Sequence, residues 1–240
     1  MAAATSLSGS NATPDATPGA IPGATSGATP GATSGTPLPA ALAAARTYAE
    51  YRAHLAALLE EGRTTGDNQS DFYVEIARLN HSRMDRLDKR SRLTDDLQTL
   101  LANLRRDYVF LVLSEGWCGD AAQTLPVMNW MAEASPQVTL RVVLRDEHLS
   151  LMDEYLTNSG RSIPKLLILD AKTEAVLADW GPRPLVAQAL AMRYKRKPAP
   201  KEDYATYQKA LHTWYARDKT RSTQQELGSL LGWLEQESVG

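Results

Sequence analysis

The residues most able to do chemistry lie in segment 115–121, which contains Cys118, the only cysteine of the chain. Residues 108–113 form an apolar run that predicts a buried strand, and residues 121–134 predict a helix. A cysteine at such a strand-to-helix junction lies at a helix N-terminus, where unpaired N–H groups and the helix dipole favour the thiolate. The pattern therefore predicts a reactive thiol with a lowered pKa at Cys118. The alternative is a small, inert core residue, as free cysteines often are.

Cys118 has no possible disulfide partner within its own chain. A dithiol motif needs a second cysteine three residues further on, and Ala121 occupies that position. Any mixed disulfide formed by Cys118 therefore needs an external thiol for its resolution.

The composition argues against several classes of function. The chain has 240 residues and a formal net charge of −2, so its overall charge does not favour nucleic acid. The four histidines are scattered without ligand spacing, and we predict neither a metal site nor a cofactor. No apolar run reaches the roughly 18 to 20 residues of a membrane span, and the N-terminus lacks the basic and apolar regions of a signal peptide. Because the single cysteine fits a reducing compartment, we expect a cytoplasmic protein that binds neither nucleic acid nor membrane.

Composition and periodicity divide the chain into four parts. Residues 1–38 are dominated by Ala, Gly, Thr, Ser and Pro, and we predict a disordered tail because they bury too little apolar surface. Residues 39–104 are a predicted helical extension, 105–197 a predicted α/β domain, and 198–240 a second helical extension.

Three helices are predicted in the first extension. The first carries apolar residues at helical spacing and ends at Gly62. The second spans Asp71 to about Leu87, and its apolar side comprises Phe72, Ile76, Leu79 and Met84. The third follows the N-cap candidate Thr94 and extends to Leu104.

The α/β part has the predicted order β-α-β-α-β-β-α. Its predicted strands cover residues 108–113, 138–144, 165–169 and 175–180, and its helices 121–134, 148–156 and 184–194. Two further helices are predicted at about 201–216 and 220–236. A βαβ unit followed by a hairpin predicts an α/β sheet with helices on its faces.

Two further signals accompany the cysteine segment. In the sequence Ser162-Ile163-Pro164-Lys165 a proline precedes a strand, which makes it a candidate for a cis bond. Gly181 follows the last strand. With the Trp-Cys pair after the first strand, this arrangement resembles the thioredoxin-like superfamily over about residues 105–195.

A closer resemblance is to a bacterial group of uncharacterised thioredoxin-family proteins that have extra helices before and after the core. The segments that carry it are Glu115–Ala121, which contains Trp-Cys-Gly-Asp-Ala, together with Arg145–Glu147, Leu151–Asp153, Tyr155–Asn158, Arg161–Lys165 and Trp180–Pro184. The resemblance implies a thioredoxin-like fold, with a central mixed sheet and flanking helices, between two helical extensions.

The resemblance also implies roles for individual residues. Cys118 matches the nucleophilic cysteine, Pro164 the cis-proline that faces it, and Gly181 a position where a partner chain approaches closely. The implied substrate groove comprises Trp117, Gly119, Asp120, Ile163, Pro164 and Gly181. Residues that could line the groove or tune the thiol pKa are Glu115, Arg145, Asp146 and Lys165.

Three departures from the family pattern concern the redox step. Ala121 replaces the resolving cysteine, Gly119-Asp120 replaces Gly-Pro, and Val112 stands where the family commonly has a buried carboxylate that assists resolution. The losses of cysteine and carboxylate are mutually consistent, since a protein that never resolves its own mixed disulfide has no use for that base.

Several of these residues also have purely structural interpretations. Asp120 could cap the following helix and complement its dipole, and Arg145-Asp146-Glu147 could cap the helix near His148. Lys165 could be a solvated lysine at the start of a strand.

Two functions remain open at this point. The first is a thiol oxidoreductase of single-cysteine type, in which Cys118 attacks a protein disulfide or a glutathionylated thiol to form a mixed disulfide, and an external small thiol such as glutathione resolves it. The second is a redox-silent binding module whose Cys118/Pro164 groove holds a protein partner. Peroxide sensing through a sulfenic acid at Cys118 is a third option, supported only by the single thiol.

Overall fold

The computed structural model describes residues 37–90 and 92–237. The predicted tail lies outside these residues, except for Pro37 and Leu38, which begin the first helix. The helices are α1 (Pro37–Ala44), α2 (Tyr48–Glu60), α3 (Asp71–Asp88), α4 (Asp95–Ala102), α5 (Ala121–Ala134), α6 (Leu149–Glu154), α7 (Leu185–Arg196), α8 (Tyr204–Asp218) and α9 (Arg221–Glu237). The strands are β1 (Tyr108–Ser114), β2 (Val138–Leu144), β3 (Lys165–Asp170) and β4 (Val176–Trp180).

The four strands form one mixed sheet with the order β2-β1-β3-β4. β1 pairs in parallel with β2 and antiparallel with β3, and β3 pairs antiparallel with β4. Because β1 is central and covered on both faces, it reads as a continuous apolar run rather than as an alternation. The predicted fold class, a thioredoxin-like α/β fold with added helices, is confirmed.

The extra helices enclose this sheet on several sides. α1 and α2 pack against β2, α3 and α4 pack against α5, and α9 packs against α4, α5 and β4. One hydrophobic cluster runs from Ala41 through the sheet to Leu234, so both extensions share the core of the sheet. A small satellite cluster, formed by Ala187, Leu211 and Tyr215 with Tyr207 and Trp214 against it, joins α7 to α8.

The first predicted helix is divided into α1 and α2. At the break, Arg46 exchanges two backbone hydrogen bonds with Val142 of β2, with N···O distances of 2.9 and 2.8 Å. Thr47 then starts α2 with a capping box, in which its side chain and that of Glu50 each accept a backbone N–H. The chain leaves the helical conformation here because it pairs with the sheet edge.

The prediction for the buried side of α3 was right for Met84 and wrong for Phe72 and Leu79. Phe72 and Leu79 are 60% and 51% exposed, whereas the buried side chains are Val74, Ala77, Asn80 and Met84. Asn80 must face inward because its side-chain amide donates to the Gly116 carbonyl oxygen at 3.1 Å. A polar residue in the buried face hides the true apolar side from a hydrophobic-periodicity argument.

The predicted helix at 148–156 is shorter in the structure, where it spans Leu149–Glu154. Residues 145–147 form a single 3₁₀ turn, and α6 begins at Leu149. His148 separates the two, with φ −131° and ψ 48°, which is not a helical conformation.

Candidate functional site

Cys118 lies in the turn between β1 and α5, as the sequence predicts. Its backbone N–H donates to the Glu115 carbonyl oxygen at 3.0 Å, which closes the turn. Its Sγ accepts the N–H of Ala121 at 3.4 Å and donates to the carbonyl oxygen of Ile163 at 3.2 Å. The thiol is thus held between the first turn of α5 and the loop that enters β3.

Pro164 follows Ile163 in that loop, and the Ile163–Pro164 peptide bond is cis in the structure. Both residues are buried. Cys118, Ile163 and Pro164 are therefore brought together at one end of the sheet.

Gly181 has a different explanation from the one that the resemblance implies. Its φ is +118°, a backbone conformation that residues other than glycine rarely adopt, and a Cβ would lie 2.3 Å from the Pro164 carbonyl oxygen. The close approach is made by the protein's own Pro164 backbone, so in this conformation the glycine makes room for its own chain.

The lowered thiol pKa that the helix position predicts is not found in this structure. Cys118 is only 7% exposed. Burial, which is the largest effect, and the nearby Asp120 carboxylate together raise the pKa of the Cys118 thiol to about 12. The N–H groups of Ala121 and Asp120 lower the pKa, but burial outweighs them. At neutral pH the thiol is therefore protonated, in agreement with its donation to Ile163.

Asp120 forms an internal ion pair instead of a helix cap. It stands before α5 but has helical φ and ψ values and makes no side-chain capping hydrogen bond. Its Oδ2 accepts from Arg183 Nε at 2.9 Å, and its Oδ1 accepts from the Tyr215 hydroxyl at 2.7 Å. The carboxylate is buried, and the Arg183 guanidinium is fixed in turn by Gln188 of α7 at 2.9 Å.

Helix α8, in the C-terminal extension, also contacts Gly119. A Cβ at Gly119 would lie 3.1 Å from Cε1 and 3.3 Å from Nε2 of His212. The glycine therefore allows the His212 imidazole to lie directly over the backbone of the cysteine segment. Burial and the neighbouring Arg83 guanidinium lower the pKa of His212 to about 4, so the imidazole is neutral at pH 7.

The cysteine segment also contacts the N-terminal extension. The N–H of Gly116 donates to Thr65 Oγ1 at 2.7 Å, and its carbonyl oxygen accepts from Asn80. A Cβ at Gly116 would lie 2.5 Å from Cδ1 of the fully buried Leu55. The backbone before Cys118 is thus fixed by α2, α3 and the loop between them.

Trp117 is half-buried and contacts one side chain from α3 and one from the turn after β2. Its ring meets Tyr73 of α3 edge to face at 5.3 Å, and the Arg145 guanidinium lies 5.0 Å from its centroid. Arg145 also forms an ion pair with Asp146 at 2.7 Å. Trp117, Arg145 and Asp146 therefore form one chain of contacts.

Glu115 lies behind the cysteine segment with its side chain completely buried. Its Oε1 accepts the N–H of Asp146 at 2.9 Å. Burial raises the pKa of Glu115 to about 7, although hydrogen bonds and the Arg145 charge oppose this shift.

Lys165 is not the solvated lysine considered above. It is 4% exposed, and its Nζ donates to Asp179 Oδ1 of the neighbouring strand β4 at 2.7 Å. Its charge is balanced by that partner.

Sequence reasoning missed Arg183, His212 and Tyr215. Arg183 lies in a segment that the resemblance singled out, but nothing in the sequence pairs it with Asp120. The two α8 residues lie more than 90 positions from the cysteine segment in an ordinary amphipathic pattern. In the described part of the chain, no group of three or more His, Cys, Asp or Glu side chains is placed to hold a metal ion. No helix in that part is long and apolar enough to cross a membrane.

Comparison with known proteins decides the family. The family model described as Thioredoxin matches residues 66–197, which is more than half of the chain. The chain belongs to this thioredoxin family. The match begins in the loop before α3, so the family region includes part of the N-terminal extension.

Two solved structures resemble this thioredoxin-family chain. A 1.5 Å crystal structure of a protein of unknown function from Pseudomonas aeruginosa has a TM-score of 0.50 and 18% identity, covering 79% of this chain and 99% of its own. A scaffold carrying an HIV epitope has a TM-score of 0.47 and 17% identity, with coverages of 79% and 98%. At 18% identity the first likeness shows the fold alone. No curated protein matches the chain.

Proposed function

We propose that this protein is a thiol–disulfide oxidoreductase of the single-cysteine type, with Cys118 as its nucleophile. The observation that carries the proposal is the placement of Sγ, which accepts the Ala121 N–H in the first turn of α5 and lies beside the loop of Ile163 and Pro164. An N–H aimed at the sulfur stabilises the thiolate, and so does the positive end of the helix dipole.

The proposed reaction is an exchange of disulfides that needs no further oxidant. The Cys118 thiolate attacks one sulfur of a protein or glutathione disulfide, forms a mixed disulfide and releases the other sulfur as a thiolate. An external thiolate then attacks the substrate sulfur of the mixed disulfide, and the Cys118 thiolate leaves. The external step is necessary because the chain contains no second cysteine.

The raised thiol pKa defines the resting state of this proposed enzyme. Since burial is the largest cause of the shift, contact with water would lower the pKa toward that of a free thiol. On this proposal, exchange requires that Cys118 become accessible, and the buried thiol is the protected form. A cytoplasmic location, where reduced thiols are abundant, is part of the proposal.

A redox-silent binding module is the second candidate, and the raised pKa of Cys118 favours it. If the thiol stays buried, the groove would only hold a protein partner, and Cys118 would be a donor to the Ile163 carbonyl oxygen. The absence of a carboxylate at Val112 and of a cysteine at Ala121 agrees with this function too.

Two measurements separate these functions. The rate of Cys118 alkylation by iodoacetamide is measured against pH, with Cys118→Ser as the blank and urea-unfolded protein as the reference. The protein is then incubated with oxidised glutathione, and intact mass reports a mixed disulfide and its release by reduced glutathione. We expect slow alkylation of the folded protein, a glutathione adduct at Cys118 and complete release. An adduct that forms only in urea would contradict the oxidoreductase and favour the binding module.

A further inference from the structure

Helix α8 contacts the cysteine segment directly after Cys118. The His212 ring lies over the backbone of Gly119, and the Tyr215 hydroxyl donates to Asp120. Both contacts fall on the two residues that follow the cysteine. A disulfide that approached Cys118 from this side would meet the helix first.

The covering helix is attached to the molecule by a small apolar area. Within α8, all of which the structure describes, only Leu211 and Tyr215 of fifteen residues are buried. Both belong to the satellite cluster with α7 and not to the main core. Because hydrophobic stabilisation is roughly proportional to the apolar area removed from water, α8 is held much less firmly than the core helices.

The hydrogen-bonding potential of the covering residues is incompletely satisfied. His212 Nδ1 is buried without a hydrogen-bond partner among the described residues. A buried polar atom without a partner disfavours the closed arrangement, since opening returns that atom to water. The free energy of the closed arrangement is therefore raised by the unpaired His212 Nδ1, and hydration of this atom on opening would remove that cost.

The segments at both ends of α8, residues 195–203 and 218–222, contain no buried residue, so the core does not fix them. Residues 195–201, which precede it, are exposed to solvent. At its other end Lys219 and Thr220 have φ values of 53° and 67°, in the left-handed region that a β-branched residue such as threonine rarely adopts. A sharp joint of two residues thus separates α8 from the firmly packed α9.

We infer that α8 is a movable cover that occupies the substrate groove in the resting protein and controls access to Cys118. In the open form His212 and Tyr215 move away from the cysteine segment. Asp120 keeps its ion pair with Arg183, which belongs to the loop before α7. The thiol then regains water beside the Ala121 N–H. The inference depends on the proposed function only for what the cover regulates, because the movement itself is a property of the fold.

Hydrogen exchange of the full chain tests the movement independently of thiol chemistry. We expect the amides of α8 to exchange through local opening, with protection at least about 100-fold below that of β1, while α9 remains close to β1. The same difference should appear in Cys118→Ser. Equal protection of α8 and β1 would overturn the inference, since α8 would then open only when the whole protein unfolds.

Alkylation of Cys118 tests the control of access. Tyr215→Phe removes one hydrogen bond of the cover while keeping the ring, and we expect alkylation at pH 8 to become about 3- to 10-fold faster. Tyr204→Phe is the matched control, because it removes an exposed hydroxyl whose hydrogen bond, from Gln208, lies within the same helix, and it should match the unmodified protein. No acceleration by Tyr215→Phe, or an equal one in both variants, would overturn the inference.

The two proposals fail separately. If α8 opens and alkylation accelerates but no glutathione adduct ever forms, the cover remains and the oxidoreductase is wrong. If the adduct forms equally fast in Tyr215→Phe and the unmodified protein while α8 stays protected, the oxidoreductase remains and the cover is wrong.

Discussion

The cysteine segment lies between two walls that differ in how they are fixed. The N-terminal wall, formed by Leu55, Thr65 and Asn80, contacts the backbone of Gly116. The C-terminal wall, formed by His212 and Tyr215, contacts Gly119 and Asp120. Both walls lie against glycines within two residues of Cys118.

The difference lies in the packing behind each wall. Leu55 belongs to the main core, and the N-terminal wall cannot leave without exposing part of that core to water. Tyr215 belongs to the satellite cluster, which can separate while the sheet stays intact. Similar contacts at the site can therefore be permanent in one wall and reversible in the other, because the apolar area buried behind each wall differs.

Truncating one leucine behind each wall should give the largest difference in stability between the two walls. Leu55→Ala leaves a cavity in the main core and should lower the free energy of unfolding by about 2 to 5 kcal/mol. Leu211→Ala, in the satellite cluster, should lower it by less than about 1 kcal/mol, because α8 detaches before the core unfolds. Urea unfolding followed by far-ultraviolet circular dichroism measures both values, and equal losses would contradict the difference between the walls.

The two glycines of the cysteine segment allow a second paired test. In Gly116→Ala the new Cβ meets buried Leu55, and overpacking should cost about 1 to 3 kcal/mol of unfolding free energy. In Gly119→Ala the new Cβ meets His212, which can move outward with α8, so stability should change little while Cys118 alkylation accelerates. Urea midpoints and alkylation rates measured on both variants check this. An acceleration in Gly116→Ala alone would reverse the assignment of the walls.

Glu115, behind the N-terminal wall, predicts a pH dependence of stability. Its pKa is raised from 4.5 to about 7 in the folded protein, so folding favours the protonated form. Its contribution is present below pH 4.5 and is lost as the pH rises through 7, which corresponds to about 1 to 3 kcal/mol. Glu115→Gln should remove this loss. Urea midpoints at pH 5 and 8 measure it, and an unchanged pH dependence in the variant would exclude Glu115 as its source.

His212 predicts a smaller effect on the C-terminal wall. Its pKa is lowered to about 4 by burial and by Arg83, which outweigh the opposing Asp120 charge. The closed form is therefore favoured above the unfolded pKa of about 6.5 and weakened as the pH falls toward 4, by about 1 kcal/mol after solvent screening. Hydrogen exchange of α8 at pH 5 and 7, corrected for intrinsic rates, should show lower protection at pH 5. His212→Gln should show no such change.

Local sequence signals predicted the sheet and the position of the thiol. β1 was identifiable because a strand buried on both faces is a continuous apolar run, and Cys118, Ile163 and Pro164 belong to recognisable segments at strand ends. The buried side of α3 was identifiable only in part, since Asn80 faces inward, where it donates to a backbone oxygen 36 residues away and accepts from Arg83.

The electrostatic state of the thiol was also beyond sequence reasoning. The helix position of Cys118 favours a low pKa, but burial by distant segments decides the outcome. The contact between Asp120 and Tyr215 joins residues 95 positions apart, and no spacing rule connects them. The sequence does not reveal that α8 packs beside the cysteine segment of the α/β domain.

The pairing of Arg46 with Val142 has a consequence for association between molecules. β2 is an edge of the sheet, and its unpaired backbone groups would be available to a strand of another copy. The chain between α1 and α2 occupies two of those groups, and α1 and α2 pack along the same strand. The N-terminal helices therefore protect the protein against edge-to-edge aggregation, and a fragment starting at β1 would lose that protection.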